Sequence, residues 1–268
     1  MERTELIDLL KKQQEIFGDD LYQPLSVKIP SLLNERRSVS AKEPGAESAI
    51  ITRSTPSPVQ PASVPLQTER IIPSEVLQVF NHITTLHEFE QKICNCQKCE
   101  LAKGRNKFVF GKGNPNAKVM LIGEGPGADE DRQGEPFVGK AGQLLTDILK
   151  AIKFTREEVY IANIVKCRPP ANRTPFPAEI EACMPYLQKQ IDLVEPKLIL
   201  LLGATAVLGL LGKKATLSSM RGKVFEYGHA RVMVTYHPAA LLRNPALKRD
   251  TWTDVQQFRK LYDELPAE

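Results

Sequence analysis

The stretch KVMLIGEGPG, residues 118–127, joins a short run of β-prone apolar residues to a glycine-rich turn. Three similar runs follow, at residues 159–161, 198–202 and 232–234. Strands that are apolar throughout, rather than alternating, are typical of parallel sheets with both faces covered. Because each run ends at a turn or a polar residue, the four runs predict four parallel strands.

Segments with helical spacing of apolar residues separate these runs. They lie near residues 140–153, 178–193, 204–212 and 251–264. Alternating strands and helices predict an α/β fold with helices on both faces of the sheet. Ligands bind such sheets beyond the carboxyl ends of the strands. The residues that follow the runs are therefore candidate site residues: 123–127, Asn163, 203–204 and 237–238.

The composition of the 268 residues, 42% hydrophobic and 25% charged, is ordinary for a globular protein. No run approaches the ~18 apolar residues of a membrane span, and the start, MERTELIDLL, has no apolar signal core. We therefore expect a cytoplasmic protein that neither spans a membrane nor is secreted. Residues 81–268 carry the net positive charge, which fits a polyanionic partner without being specific for one.

The first 80 residues have a different texture. Residues 3–17 have the apolar spacing of an amphipathic helix, and residues 24–73 hold eight of the 20 prolines. We predict a short helix over residues 1–20, a flexible Pro/Ser-rich linker over 21–80, and one globular domain over 81–268. The helix either has no separate role or docks a partner protein.

The five cysteines form an uneven set. None lies in the first 93 residues, and the odd number argues against a disulfide framework in a cytoplasmic chain. Cys96 and Cys99 form a C-x2-C pair, and Cys167 and Cys183 follow much later. Such thiols can bind zinc or an iron–sulfur cluster, or lie buried and unlinked. The long separation fits a cluster as well as or better than zinc, and Cys94 is an alternative to Cys96.

Further candidate residues stand at the predicted strand ends or, for Phe137 in GEPFVGKAGQLL, just before a predicted helix. The turn at 123–127 lacks the Lys-Ser/Thr of a phosphate-binding loop, and acidic residues follow it, so it is either a tight turn or a ligand loop of another kind. Asn163 can donate and accept hydrogen bonds at once, and Phe137 can present a flat face to a base. His237 opens a Pro-bounded segment, HPAALLRNP, in which apolar residues stand beside an arginine.

Together these motifs resemble the family-4 uracil-DNA glycosylases, which are iron–sulfur enzymes of bacteria and archaea. The resemblance covers roughly residues 90–264 and rests on these strings: C-x2-C-x-L at 96–101, FGKGNPNA at 110–117, GEGPGADED at 123–131, GEPFVGKAGQLL at 134–145, YIANIVKCRPPANRTP at 160–175 and HPAALLRNP at 237–245. It implies a three-layer α/β/α sandwich with a four-stranded parallel sheet. It also implies a monofunctional hydrolase of DNA repair that flips uracil out of single- or double-stranded DNA and leaves an abasic site.

The resemblance also implies roles for individual residues. A structural 4Fe–4S cluster is expected on Cys96, Cys99, Cys167 and Cys183. Uracil is expected to stack on Phe137 and to bond Asn163, with His237 donating to its O2 and the backbone near Gly125 assisting. Better-known relatives position water with an Asp, but Gly125 stands at that position here. Glu124 is therefore the first candidate for positioning water, and Glu130 and Asp131 are the second. The DNA wedge is expected at Leu241, supported by Leu242 and Arg243.

Other activities are compatible with parts of this pattern. A non-catalytic uracil-DNA recognition module, or a polymerase-associated subunit, is the alternative function. A relative that bonds covalently to DNA uses a His in a basic insert, and residues 127–140 contain neither. A zinc-dependent nucleotide hydrolase is disfavoured by the acidic run. We expect a monomer, with these cations as DNA phosphate contacts: Arg168, Arg173, Arg243, Lys248 and Arg249.

Overall fold

The computed structural model describes Lys11 and residues 79–266. The predicted helix over 1–20 and the predicted linker over 21–80 lie outside the described residues, apart from Lys11 and the last two positions of the linker. Both remain predictions. None of the helices in the described part is long and apolar enough to cross a membrane.

Six strands form one mixed sheet within the described residues. They are β1 (Lys112–Gly113), β2 (Val119–Gly123), β3 (Tyr160–Asn163), β4 (Leu198–Leu202), β5 (Phe225–Tyr227) and β6 (Ala230–Thr235). Their order is β1-β3-β2-β4-β6-β5. The four central strands are parallel, which confirms the predicted core of the sheet. The two edge strands are antiparallel and were not predicted, because two or three residues with exposed positions leave no apolar run.

Helices separate most of these strands along the chain. The described helices are α1 (Leu86–Ile93), α2 (Leu101–Gly104), α3 (Ala128–Gln133), α4 (Lys140–Ala151), α5 (Pro177–Val194), α6 (Ala204–Leu211), α7 (Leu217–Met220), α8 (Pro238–Arg243) and α9 (Leu247–Asp263), with a 3-10 turn at Pro170–Asn172. The four predicted helical segments correspond to α4, α5, α6 and α9. The last begins four residues earlier than predicted.

The sheet separates two hydrophobic cores. Successive residues of a strand point to opposite faces, so Met120 and Ile122 pack against α1, α5 and α6, whereas Val119 and Leu121 pack against α4 and α9. All five residues of β2 and all five of β4 are buried. This burial on both faces explains the uninterrupted apolar runs and confirms the three-layer α/β/α sandwich.

Parallel pairing brings the carboxyl ends of the central strands to one edge. Gly123 of β2 stands beside Asn163 of β3, and the two chains stay paired past the strand ends through Ile164 N–H to Gly123 O at 2.9 Å. On the other side, Gly203 N–H donates to Thr235 O at 2.9 Å just before His237. The segments predicted to carry chemistry therefore meet at this edge.

Candidate active site

A cleft of about 440 Å³ opens at the carboxyl edge of the sheet. The residues that line it include these candidates from the sequence: Glu124, Gly125, Glu130, Phe137, Asn163, Arg173, His237 and Arg243. They come from four separate segments of the chain, and the parallel topology is what collects them.

Asn163 supplies a buried hydrogen-bond acceptor that has no partner. Its side chain is 2% exposed, and Oδ1 is the sole buried side-chain N or O atom in the described part of the chain without a hydrogen-bond partner. Leaving such a group unpaired costs about 1–3 kcal/mol. Because Asn163 lines the cleft, a ligand with an N–H donor can supply the missing bond.

The backbone of Asn163 is held by a buried lysine that sequence reasoning missed. Lys166 is fully buried, and its Nζ donates to Asn163 O at 3.0 Å and to Gln190 Oε1 at 2.5 Å. Burial lowers the pKa of Lys166 to about 8, and Cys183 opposes this shift. A lysine in the middle of an apolar segment was the available signal, since a lysine is almost never fully buried without a polar partner.

Phe137 is fixed in a strained conformation at the cleft wall. Its φ of 54° lies in the left-handed region that bulky residues avoid. Arg156 donates to the carbonyls of Phe137 and Pro136 at 3.1 and 2.9 Å, and α4 approaches so closely that a Cβ at Gly142 would lie 1.9 Å from Phe137 O. The Phe137 ring stacks on the His237 ring, with centroids 5.5 Å apart and planes 30° apart.

His237 is held as a neutral ring with a defined proton position. It precedes α8, and its Nδ1 accepts the Ala239 N–H at 3.2 Å. Because Nδ1 accepts, the proton of the neutral ring is assigned to Nε2. Burial and, to a smaller extent, the Arg243 cation lower the pKa of His237 to about 4, and Glu130 opposes them. Near neutral pH the ring is therefore an uncharged Nε2–H donor.

The three candidate carboxylates have different surroundings. Glu124 lines the cleft and accepts a hydrogen bond from the Thr205 hydroxyl at Oε2. Glu130 also lines it, but its two oxygens accept the backbone N–H groups of residues 127, 138 and 139. Asp131 is 1% exposed and accepts from Asn106 N and Nδ2 at 2.9 and 2.5 Å. The structure thus does not support Asp131 as a water-positioning group, and Glu130 is engaged in holding the loop.

Thr205 is a further residue that sequence reasoning missed. The sequence pointed to residues 203–204 because they follow β4, and the hydroxyl that contacts Glu124 comes one position later. The partner of Glu124 thus lies in α6, 81 residues later in the chain, and sequence spacing alone does not reveal such a contact.

The two leucines of the expected DNA wedge lie in different surroundings. Leu241 is fully buried in the core under α8, whereas Leu242 is 49% exposed. The reason is that residues 238–243 form a helix and not a loop, so adjacent residues point about 100° apart and only one of the two leucines faces the core.

The predicted phosphate contacts also differ in their surroundings. Arg243 and Arg249 are exposed, and Lys248 is partly buried near the start of α9. Arg168 donates to Asn172 Oδ1 at 2.8 Å. Arg173 is paired with Glu179 through two bonds of 2.7 and 2.8 Å, so a carboxylate already balances its charge.

Two of the four predicted ligand cysteines, Cys96 and Cys167, share Arg105 as a neighbour. No group of three or more His, Cys, Asp or Glu in residues 79–266 is arranged to hold a metal ion as it stands. Arg105 Nη1 donates to Cys167 Sγ at 3.4 Å and to Cys96 O at 2.5 Å. Tyr186 Oη donates to Cys96 Sγ at 3.1 Å.

Electrostatics links the same cysteines. Burial raises the pKa of the Cys99, Cys167 and Cys183 thiols, and other cysteines of the set raise each of them further. The Cys94 thiol instead donates to Gln91 O at the end of α1. A set of four thiols, two of which accept hydrogen bonds at their sulfurs, suits zinc or an iron–sulfur cluster.

Known proteins match most of the described part of this chain. The family model "Uracil DNA glycosylase superfamily" matches residues 110–264. The type-4 uracil-DNA glycosylase of Pyrobaculum aerophilum is 46% identical over 181 residues, which span 65% of this chain and 92% of that protein. This chain belongs to the type-4 uracil-DNA glycosylases.

Two further type-4 glycosylases show the same coverage. The protein of Archaeoglobus fulgidus is 40% identical over 66% of this chain and 93% of its own length, and that of Thermotoga maritima is 43% identical over 63% and 90%. The superfamily match contains every residue of the cleft, together with Cys167 and Cys183. Cys96 and Cys99 precede the matched residues.

The state of His237 can be measured in the protein. Since burial disfavours the imidazolium, lowering the pH from 7 to 5 should leave His237 neutral, with its proton on Nε2. Heteronuclear NMR of the imidazole nitrogens reports both properties, and the exposed His82, His87 and His229 serve as internal references. Titration of His237 near 6.5, or a proton on Nδ1, would contradict the assignment.

Proposed function

We propose that this chain flips uracil out of DNA, hydrolyses its N-glycosidic bond and leaves an abasic site. The observation that carries the proposal is the unpartnered Asn163 Oδ1 in a cleft that also holds Phe137 and His237. Family membership supports it, because relatives that match about two thirds of this chain are named type-4 uracil-DNA glycosylases.

Asn163 can select uracil by hydrogen bonding. Uracil N3–H would donate to Asn163 Oδ1, and Asn163 Nδ2 would donate to uracil O4. Cytosine has an acceptor at N3 and a donor at position 4, so the same amide would face like groups and two buried bonds would be lost. A site built for hydrogen bonds rejects such an analogue strongly, because its own polar groups are left unpaired.

His237 can stabilise the leaving group. As the N-glycosidic bond breaks, negative charge develops on uracil O2 and positive charge on the sugar. The Nε2–H of neutral His237 would donate to O2, and the backbone near Gly125 would assist. A donor already in position when charge develops is typically worth about 10²–10³ in rate. Stacking on Phe137 would hold the base where the Nε2–H of His237 reaches O2.

Glu124 is the carboxylate that we assign to the water. Thr205 holds its Oε2, which leaves Oε1 for a water molecule or for the positive charge of the sugar. Glu130 is already engaged with three backbone N–H groups, so it is the poorer candidate. Since a largely dissociative reaction develops the sugar cation early, positioning and charge matter more than the strength of the base.

DNA must be opened before the base can enter the cleft. Extruding a base costs a few kcal/mol in lost stacking and pairing. We assign the wedge to Leu242, because it is exposed and adjacent to Arg243 at the cleft. Arg243, Lys248 and Arg249 would contact phosphates, whereas Arg173 is already paired with Glu179.

We propose that Cys96, Cys99, Cys167 and Cys183 hold a structural 4Fe–4S cluster. Hydrogen bonds to the sulfurs and the adjacent Arg105 cation suit such a group, which carries net negative charge when bound by four thiolates. The cluster would tie the segment around Cys96 to the loop between β3 and α5, part of which lines the cleft. Its contribution is to order these segments and not to take part in the reaction.

The setting follows from the substrate. The relatives come from bacteria and archaea, whose DNA lies in the cytoplasm, and we place the activity there. We propose that the domain acts as a monomer on uracil-containing DNA. A protein partner for the first 20 residues remains a separate proposal.

Excision from an oligonucleotide with one uracil tests the proposed reaction. The wild-type protein should produce alkali-sensitive breaks at the uracil. His237→Ala should slow single-turnover excision by about 10²–10³-fold, and Glu124→Gln should slow it while largely sparing DNA binding. Glu135→Gln, at an exposed surface pair, is the matched control. Uracil-DNA binding without any excision by the wild type would favour a recognition module instead.

Substitutions of the two leucines of α8 should have separate effects, one on DNA binding and the other on the free energy of unfolding. Leu242→Ala should weaken uracil-DNA binding and leave the free energy of unfolding nearly unchanged, because the side chain is exposed. Leu241→Ala should lower the free energy of unfolding by about 2–5 kcal/mol, because it leaves a cavity in the core. Urea unfolding and DNA titration measure the two effects. Weaker DNA binding in Leu241→Ala, with binding unchanged in Leu242→Ala, would restore Leu241 as the wedge.

Removing single cysteines tests the cluster. Protein purified without oxygen should be brown, with a broad absorbance near ~400 nm. Cys96→Ser or Cys183→Ser should lose iron, and Cys94→Ser should keep it. A colourless wild-type protein that contains zinc would contradict the cluster, and loss of iron in Cys94→Ser would shift the ligand assignment.

A further inference from the structure

We propose that Phe176 is a stacking platform for the nucleobase next to the flipped uracil. This inference rests on the proposed function and extends its DNA contact. Within residues 79–266, three large hydrophobic side chains are exposed: Val79, Phe176 and Leu242. Leu242 has a role beside the cleft, but Phe176, which is 57% exposed, takes no part in the reaction described so far.

The exposed ring is held rigidly. Phe176 precedes α5 between Pro175 and Pro177, and its own N–H donates to Glu179 Oε2 at 2.7 Å. The Arg173 guanidinium lies over the ring at 3.7 Å from its centroid. Arg173 is in turn fixed by Glu179, whose side chain is buried. A ring ordered before binding loses little conformational entropy when a ligand stacks on it.

The platform stands beside the cleft. Thr174 and Arg173 line the cleft wall, and Phe176 lies two residues farther along the same segment. Two residues span at most about 7 Å. A strand whose uracil enters the cleft would therefore pass its neighbouring nucleotide close to the Phe176 ring.

The chemistry at this position favours a base over a phosphate. The ring offers a flat, uncharged surface, and Glu179 already balances the cation behind it. Stacking of a base on an aromatic side chain tolerates any sequence, because every base has a π-face. An enzyme that must find uracil in many contexts needs a contact of this kind beside the site, and an Arg behind the ring adds to the stack.

DNA carrying a tetrahydrofuran abasic analogue, with 2-aminopurine as its neighbour on one side and then the other, tests the platform. The wild-type protein should quench 2-aminopurine fluorescence at one of these positions. Phe176→Ala should lose the quenching and bind about 5- to 100-fold more weakly, and Phe176→Tyr should restore both. Val79→Ala is the matched control for removal of an exposed apolar side chain.

Salt dependence separates stacking from phosphate contact. Phe176→Ala should keep the wild-type slope of log K against log[salt], whereas Arg243→Ala should make it shallower. Wild-type affinity and quenching in Phe176→Ala would overturn the platform, as would a changed slope in that variant. If the wild type excises uracil while Phe176→Ala behaves normally, the platform alone fails. If the wild type neither excises nor binds uracil-DNA, the proposed function fails with it.

Discussion

The pairing of β2 with β3 at Gly123 and Asn163 is the constraint on which the site depends. A Cβ at Gly123 would lie 2.5 Å from both Asn163 Oδ1 and Phe137 Cζ. The missing side chain therefore allows the amide and the ring to meet over the end of β2. A slip of one residue in this register would turn Asn163 away from the cleft.

Several groups around that point are held in states that lower the stability of the folded protein. Asn163 Oδ1 is unpaired, Phe137 has a left-handed backbone, and the burial of His237 lowers its pKa. Such features persist where the surrounding structure fixes them, and they cluster at functional sites. Here the fixing groups are Lys166 behind Asn163 and Arg156 behind Phe137. Because the groups are positioned before the substrate arrives, little reorganisation is needed when charge develops.

The sequence predicted the parallel core and the cleft residues because both depend on local signals. Apolar runs mark buried strands, and polar residues at their ends mark the ligand edge. It missed the edge strands, which lack an apolar run. It also did not show that 238–243 is a helix, because six residues are too few for a clear periodicity, and so it did not show which of the two leucines is exposed. The sequence did not predict the roles of Thr205, Arg156 and Lys166, for another reason. Their partners are distant in sequence or are backbone atoms, and no spacing rule reports such contacts.

Recognition of uracil depends, in this proposal, on a hydrogen bond from uracil N3–H to the unpartnered oxygen of Asn163. A crystal structure of the protein with abasic DNA and free uracil measures this directly. We expect uracil stacked on Phe137, with N3 at about 2.7–3.2 Å from Asn163 Oδ1, the ordinary range for such a bond. Uracil bound elsewhere, or with N3 turned away from Asn163, would contradict it.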